Sequence, residues 1–146
     1  MQKTMNESGI KIVLDNGAFI PERAHEADAG YDLKTPFDTV IRPGGSAIID
    51  TGVHIAIPMG YFGKIESKSG LNVNHGIVSC GGVIDSGYTG SIRVKLYNFG
   101  RLPYTFRTGD KIAQLIIQPC ILPELIITDK LLKTERGNNG FGSSGK

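Results

Sequence analysis

The chain has 146 residues, of which 40% are hydrophobic, and its formal net charge is +2. That length fits one domain with one hydrophobic core. The small charge gives no reason to expect a nucleic-acid or membrane partner, and no apolar run reaches the roughly 20 residues of a membrane span. Cys80 and Cys120 form no C-x-x-C pair, so we expect reduced thiols in a cytoplasmic protein.

Short strand-like runs follow one another along the chain, with glycine or proline between them. Glycine supplies 20 of the 146 residues, which suits turns and disfavours long helices. Only the stretch 71–75 is expected to form a helical turn. The pattern predicts an all-β sandwich or barrel, preceded by a loose polar segment, 1–9. The predicted strands are 10–14, 47–49, 53–57, 61–66, 92–96, 104–106, 112–117 and 125–128.

Residues 81–92 are the most informative stretch and have the sequence GGVIDSGYTGSI. Glycines precede an apolar pair that leads into Asp85, and two further glycines bracket Tyr88. We predict a β-hairpin whose bare backbone could hold a flat ligand and present one carboxylate to it. The alternative is a surface hairpin in which Asp85 only favours the turn.

Two further segments carry groups that suit phosphate. Residues 67–70, SKSG, combine a cation, hydroxyls and a glycine that leaves backbone N–H groups bare; a plain polar loop is the alternative. Gln114 lies on the apolar face of its predicted strand, where its amide needs a partner from the backbone, another subunit or a ligand. Asp32 and Asp85 could meet at one magnesium ion, or Asp32 could cap a turn.

The C-terminal segment 136–146 has the sequence RGNNGFGSSGK. Such a segment cannot build a core and should be mobile without a ligand. Its arginine, phenylalanine and serines are nonetheless groups that could close over a base and a phosphate chain. A disordered tail is the alternative. We therefore expect a β domain, 1–135, and a flexible tail, 136–146.

Taken in order, these segments resemble the five motifs of the homotrimeric all-β dUTP pyrophosphatases (dUTPases). The stretches 29–33, 67–71, 82–90, 109–115 and 136–145 match motifs one to five, and the match covers nearly the whole chain. The resemblance implies a jelly-roll-like β fold, a homotrimer and active sites built from more than one subunit.

The resemblance also implies a reaction, the hydrolysis of dUTP to dUMP and pyrophosphate. This reaction limits uracil incorporation into DNA and supplies dUMP for thymidylate synthesis. Asp85 would be the general base that activates the water attacking the α-phosphorus. Mg²⁺ would bind the triphosphate, with Asp32 reaching it through water.

Residues carried over from the family motifs would bind the substrate. Tyr88 would pack against the deoxyribose, Phe141 would stack on the uracil, and the backbone of residues 82, 83 and 93 would recognise the uracil edge. Lys68 stands where the second motif usually has arginine. Lysine keeps the positive charge but loses the bidentate geometry of arginine. The implied substrate-binding residues are Lys68, Ser69, Gly70, Gly82, Val83, Ile84, Tyr88, Arg93, Gln114, Arg136, Phe141, Gly142, Ser143 and Ser144.

Two other functions fit a related scaffold. The dCTP deaminases share this fold and resemble the chain around Asp85 and Tyr88, but their catalytic glutamate would fall at Lys95, which cannot act as a carboxylate. A non-catalytic nucleotide-sensing module is the other alternative. The presence of Asp85 and of the tail argues against a sensor, because a pure binder needs no base.

Overall fold

The computed structural model describes residues 9–145, which form eleven β-strands and one short α-helix. Residues 1–8 and Lys146 lie outside this range, and with them nearly all of the segment predicted to be loose. In the described part, no helix has the length and hydrophobicity that a membrane crossing requires. The elements are β1 (Ile12–Leu14), β2 (Gly30–Lys34), β3 (Thr39–Ile41), β4 (Ser46–Asp50), β5 (Val53–Ile55), β6 (Tyr61–Glu66), α1 (Ser69–His75), β7 (Ile77–Ser79), β8 (Val83–Ile84), β9 (Arg93–Asn98), β10 (Tyr104–Phe106) and β11 (Lys111–Pro119).

Two antiparallel sheets contain most of the strands. Their strand orders are β2-β11-β6-β8 and β4-β9-β7, and two further pairs, β1-β5 and β3-β10, flank them. Buried side chains of the first sheet, such as Leu33 and Leu115, join those of the second, such as Ile49 and Leu96, in one hydrophobic core. The predicted all-β class is therefore confirmed, and the core holds both sheets in fixed positions around the site.

The stretch 81–92 is not the predicted hairpin. Strand β8 pairs with β6, whereas β9 pairs with β4 and β7. The stretch is instead a loop that leaves one sheet, adds a two-residue strand to the edge of the other, and returns. The turn-forming residues were recognised correctly, but turn residues alone do not specify which strands pair.

Two smaller predictions are also wrong. The helix α1 has seven residues and begins at Ser69, so it is longer than the single turn expected at 71–75. The predicted strand at 125–128 is absent, and the described residues from 120 onward contain neither strand nor helix. An apolar run forms a strand only where an adjacent strand accepts its hydrogen bonds, and this part of a single chain has no such neighbour.

Candidate active site

Asp32 is the centre of a charged cluster at the meeting point of β2, β11 and the end of β6. It is only 4% exposed. The Lys68 ammonium lies 2.5 Å from Oδ1, and the Lys111 ammonium lies 2.7 Å from Oδ2. Burial by itself would raise the pKa of Asp32, but the hydrogen bonds and positive charges of Lys111 and Lys68 outweigh it and hold the pKa below its usual value. Asp32 is therefore a carboxylate with a cation on each oxygen.

Sequence reasoning missed Lys111, and an irregularity in strand pairing explains why. Strict alternation would put Lys111 and Gln114 on opposite faces of β11. The register shifts by one residue between Lys111 and Ala113, so that Lys111 pairs with Lys34 while Gln114 pairs with Asp32. The extra residue turns Lys111 onto the same face as Gln114, where it contacts Asp32.

The side chain of Gln114 has a backbone partner. Its Nε2 donates to the Ser67 carbonyl at 3.1 Å, which resolves the open question of what satisfies this amide. Gly30 provides the space on the neighbouring strand, because a Cβ there would lie 2.3 Å from Oε1 of Gln114. The sequence signal was the glycine preceding Tyr31 and Asp32, but its role depends on cross-strand register and was not predicted.

Lys68, Ser69 and Gly70 form one continuous border of this cluster. Ser69 and Gly70 are exposed in the first turn of α1, directly after Lys68. Ser67 is fixed by a hydrogen bond of 2.9 Å from the Ser79 amide to its hydroxyl. The predicted phosphate-binding residues of the second and fourth motifs thus lie together, and we call them, with Asp32 and Lys111, the cationic cluster.

A second group of predicted residues lies on the loop 81–92. The carbonyl of Gly82 accepts from the Ile65 amide at 2.8 Å. Gly82 has a φ of +103°, and a Cβ there would lie 2.6 Å from Cβ of Ile65, so only glycine fits without a shift. Since hydrogen-bonded and non-bonded pairs alternate along an antiparallel ladder, the N–H and C=O of Val83 point to the free edge of the sheet. That edge is available to a ligand.

Asp85 follows β8 and begins a tight turn. Its carbonyl accepts from the Tyr88 amide at 3.0 Å. The residue is exposed, and among the described residues its carboxylate has no hydrogen bond or ion pair. This acidic side chain is therefore held by a structured turn while its oxygens remain accessible.

Tyr88 is held across the end of the same loop. Its hydroxyl donates to the Ser91 carbonyl at 2.8 Å. The ring lies over Gly90, where a Cβ would be 2.5 Å from the tyrosine oxygen. Any side chain at position 90 would displace the ring, which explains why a glycine occupies that position.

The far end of the loop is fixed to strands β4 and β5. Ser91 donates a short hydrogen bond to Asp50, which lies 3.4 Å from the guanidinium of Arg93. The Ser91 hydrogen bond is the main reason that the pKa of Asp50 lies below its usual value. The buried hydroxyl of Thr51 donates to the Ile92 carbonyl at 2.8 Å. The loop is therefore preorganised without any ligand.

The cationic cluster and Asp85 lie at opposite ends of β6. Ile84 pairs with Gly63, so Asp85 lies beside Phe62, whereas the cluster begins beyond the other end, at Ser67. Along the backbone of β6, Phe62 and Ser67 are five residue steps apart, which at roughly 3.3 Å per step is about 17 Å. One chain by itself does not bring the carboxylate of Asp85 to the side chains predicted to bind phosphate.

The C-terminal tail makes only local contacts in the described residues 136–145. Arg136 Nε donates to the Asn139 carbonyl at 3.1 Å, and the Phe141 ring is fully exposed. The tail joins neither the cationic cluster nor the loop that carries Asp85. The predicted tail residues Arg136, Phe141, Gly142, Ser143 and Ser144 are thus apart from the other predicted site residues in the isolated chain.

Comparison with known proteins identifies this set of segments. The sequence profile of the dUTPase family matches residues 16–145. The chain belongs to the dUTPase family. A deoxyuridine 5'-triphosphate nucleotidohydrolase of Mus musculus is 43% identical over 135 residues, covering 92% of this chain and 83% of the mouse protein.

Solved phage dUTPases have the same fold as this dUTPase. The enzyme of Staphylococcus bacteriophage 80alpha with dUPNHPP has a TM-score of 0.86 at 32% identity, covering 94% of this chain and 99% of that one. A mutant from S. aureus phage phi11, described for its coordination of a structural Mg(II) ion, has a TM-score of 0.79 at 31% identity, covering 84% and 98%. The predicted fold and the predicted enzyme class, a dUTP diphosphatase, are both confirmed.

Proposed function

We propose that this dUTPase acts as a homotrimer in which the Asp85 loop of one subunit meets the cationic cluster of another. The observation that carries this proposal is the separation of about 17 Å between two preorganised halves, neither of which can hold and activate a triphosphate alone. The product dUMP feeds thymidylate synthesis, and removal of dUTP keeps uracil out of DNA.

Asp85 is the general base of this proposal. Its exposed, unpaired carboxylate takes a proton from water, and the water oxygen attacks the α-phosphorus. The bond from the α-phosphorus to the bridging oxygen breaks, and pyrophosphate leaves with the electron pair. An aspartate fixed at a turn suits this role because a base must be positioned before it can help.

The cationic cluster receives the phosphates. Lys68, the exposed Ser69 and Gly70, and the free N–H of Gln114 offer charge and donors on one border. In the isolated chain Lys68 is paired with Asp32 at 2.5 Å, so it must turn from that carboxylate toward the phosphate. Lys111 remains on Asp32 at 2.7 Å and keeps it from becoming an unpaired buried charge.

A magnesium ion fits the cluster only when it arrives with the nucleotide. The described residues contain no group of three or more His, Cys, Asp or Glu side chains that could hold a metal, and Asp32 already has a cation on each oxygen. Mg²⁺ keeps several waters and uses phosphate oxygens readily. Asp32 would then contact its water shell, and the bound ion would neutralise charge that develops on the phosphates.

Base selection is assigned to the free edge of β8. The backbone groups of Val83 point to that edge, between Gly82 and Ile84, and the resemblance adds the backbone of Arg93 to this set. Fixed backbone donors and acceptors reject cytosine because a mismatched base leaves them unpaired. Tyr88, held by Ser91 at 2.8 Å, gives a rigid surface for the deoxyribose that leaves no space for a 2′-hydroxyl.

The segment 121–132 supports assembly. It carries a run of exposed large apolar side chains, and Ile127 is 99% exposed. A cluster of exposed apolar side chains in one segment favours a partner surface in water, and we propose that other copies of the chain provide one. The exposed residues are Ile121, Leu122, Leu125, Ile126, Ile127, Leu131 and Leu132.

The tail completes the site in this proposal. From the end of the apolar segment it extends toward a neighbouring subunit, where Phe141 stacks on the uracil and Arg136, Gly142, Ser143 and Ser144 close over the phosphates. The free state of Cys80 and Cys120 supports a reducing compartment, and we propose the cytoplasm.

The test is incubation of the protein with dUTP and dCTP separately, in the presence of Mg²⁺. We expect stoichiometric dUMP and pyrophosphate from dUTP and no ammonia from dCTP. Ammonia from dCTP without pyrophosphate from dUTP would indicate a deaminase. Tight dUTP binding without pyrophosphate release would indicate a sensor.

A further inference from the structure

His54 connects the Asp85 loop to the turn that follows β1. It lies on β5, and its Nδ1 is 2.8 Å from the carbonyl oxygen of Thr89, the residue after Tyr88. Its Nε2 is 3.2 Å from both carboxylate oxygens of Asp15. Asp15 is itself fixed, because its amide donates to the Gly52 carbonyl at 2.8 Å. The imidazole therefore bridges an anchored carboxylate and the loop.

Both partners of this imidazole are acceptors. A neutral histidine carries one N–H and can donate to either the Thr89 carbonyl or the Asp15 carboxylate, while its other nitrogen faces an acceptor with a lone pair. The imidazolium carries two N–H groups and satisfies both at once. The geometry is complete only for the protonated form.

We propose that His54 is a positioning residue whose imidazolium holds the Thr89 carbonyl, and through it the loop that presents Asp85 and Tyr88. This inference rests on the roles proposed above for those two side chains. Loss of the proton removes one of the two contacts and loosens residues 85–89. The Ser91 and Thr51 hydrogen bonds hold the other end of the loop at any pH near neutral.

The charged neighbours of His54 favour the protonated form. The Thr89 carbonyl and then Asp15 raise the pKa of His54, and Asp50 adds a smaller effect in the same direction. Partial burial lowers the pKa of His54 by a smaller amount than the Thr89 and Asp15 contacts raise it. The other charged groups nearby are Lys11, which lines the same surface cavity, and Arg93, which is paired with Asp50 at 3.4 Å. We call the two hydrogen bonds of the His54 imidazolium, to Thr89 and to Asp15, the clamp. The clamp is complete below the ordinary histidine pKa of about 6.5, and it is lost as the pH rises through the raised pKa of His54.

The experiment measures kcat and KM for dUTP against pH, together with the titration of His54 by NMR, in the full chain. Wild type should show a decrease of kcat above pH 6.5 that coincides with the His54 titration. His54→Ala should lower kcat at pH 6.5 about three- to tenfold, with a smaller change in KM. It should also speed amide exchange in residues 85–89 while leaving Tm within a few degrees.

Two conservative variants distinguish positioning from general stability. In Asp15→Asn the new amide can donate to Nε2, so neutral His54 satisfies both partners and the kcat decrease should disappear. His54→Asn provides one non-titrating N–H for the Thr89 carbonyl and should restore most of the kcat lost in His54→Ala, without the pH dependence. His25→Asn is the matched control, because His25 is exposed and distant in sequence from the loop, and it should behave as wild type.

Wild-type kcat and pH dependence in His54→Ala would overturn the proposal, as would a pH profile unchanged in both Asp15→Asn and His54→Asn. Failure of the proposed function is separable from these results. If Asp85→Asn turned over dUTP normally, the base assignment would fail, while the His54 titration and the exchange of residues 85–89 would still report whether the clamp exists.

Discussion

At the scale of single residues, the site depends on two carboxylates in opposite environments. Asp32 is buried between Lys68 and Lys111, so its charge is compensated and its oxygens are occupied. Asp85 is exposed and unpaired among the described residues, with its backbone fixed by a turn. This contrast supports the proposal that the first carboxylate helps to bind the substrate and that the second accepts the proton.

We predict that Asp85→Asn binds dUTP with near wild-type affinity but turns it over about 100-fold more slowly, or slower still, because only the proton acceptor is removed. Calorimetry with a non-hydrolysable analogue measures the binding, and pyrophosphate release measures the turnover. Asp38→Asn, at an exposed ion pair with Arg107, is the control and should keep its turnover. Undiminished turnover in Asp85→Asn would remove this residue from the mechanism.

Gly30 allows a test of the cationic cluster through a buried residue that is not among the proposed substrate-binding residues. Gly30→Ala places a methyl group 2.3 Å from Oε1 of Gln114, so this side chain must leave the Ser67 carbonyl. We expect KM for dUTP to rise about tenfold with little change in Tm. Gly9→Ala, where a Cβ meets nothing within 4 Å, is the control.

The double variant Gly30→Ala/Gln114→Ala shows whether the effect passes through the amide. It should match Gln114→Ala alone, because the two changes remove the same contact. Additive losses would mean that Gly30 acts on some other part of the site.

At the scale of elements, the alternation of apolar and polar residues, with glycine and proline between the runs, was sufficient to predict most strands. These patterns do not determine which strands pair, and for that reason the predicted hairpin at 81–92 is wrong. They also missed the irregularity in β11 that turns Lys111 toward Asp32. Both features depend on partners distant in the sequence, and one-dimensional periodicity contains no information about register.

The predicted strand at 125–128, in the apolar segment after β11, is wrong for a related reason. Residues 125–128 have the composition of a strand, yet in one chain they have no adjacent strand and remain exposed. A sequence pattern predicts that a segment will be buried, but it does not say in which molecule. The roles of Gly30 and His54 do not follow from the sequence, because each residue acts through a neighbour that only the fold brings close.

The tail can be tested as an element. Deletion of residues 136–146 should leave Tm within a few degrees, since its described residues contact only one another, and should lower kcat/KM for dUTP about 100-fold or more. Phe141→Ala should reproduce part of this loss, and Phe141→Tyr should preserve an aromatic platform and most of the activity. A truncated protein that no longer folds would show that the tail is structural.

At the scale of the whole molecule, the proposed activity is a property of the assembly. In the isolated chain, the Asp85 loop and the cationic cluster are each preorganised, about 17 Å apart along β6. The apolar segment 121–132 is uncovered, and the tail reaches neither the Asp85 loop nor the cluster. A closed rotational assembly brings unlike surfaces of identical chains together, and it can unite these parts at several equivalent sites.

Mixing of variant subunits tests whether the Asp85 loop and the cationic cluster of one site come from different chains. Asp85→Asn and Lys68→Ala chains, each nearly inactive alone, are co-expressed with different tags and mixed assemblies are purified. If the base and the cluster come from different subunits, some sites combine the intact Asp85 of one chain with the intact Lys68 of the other. Each mixed trimer then has one site of its three with both residues intact, so we expect about one third of wild-type activity. Activity no greater than that of the two parent variants would place both residues in the same subunit's site and contradict the account.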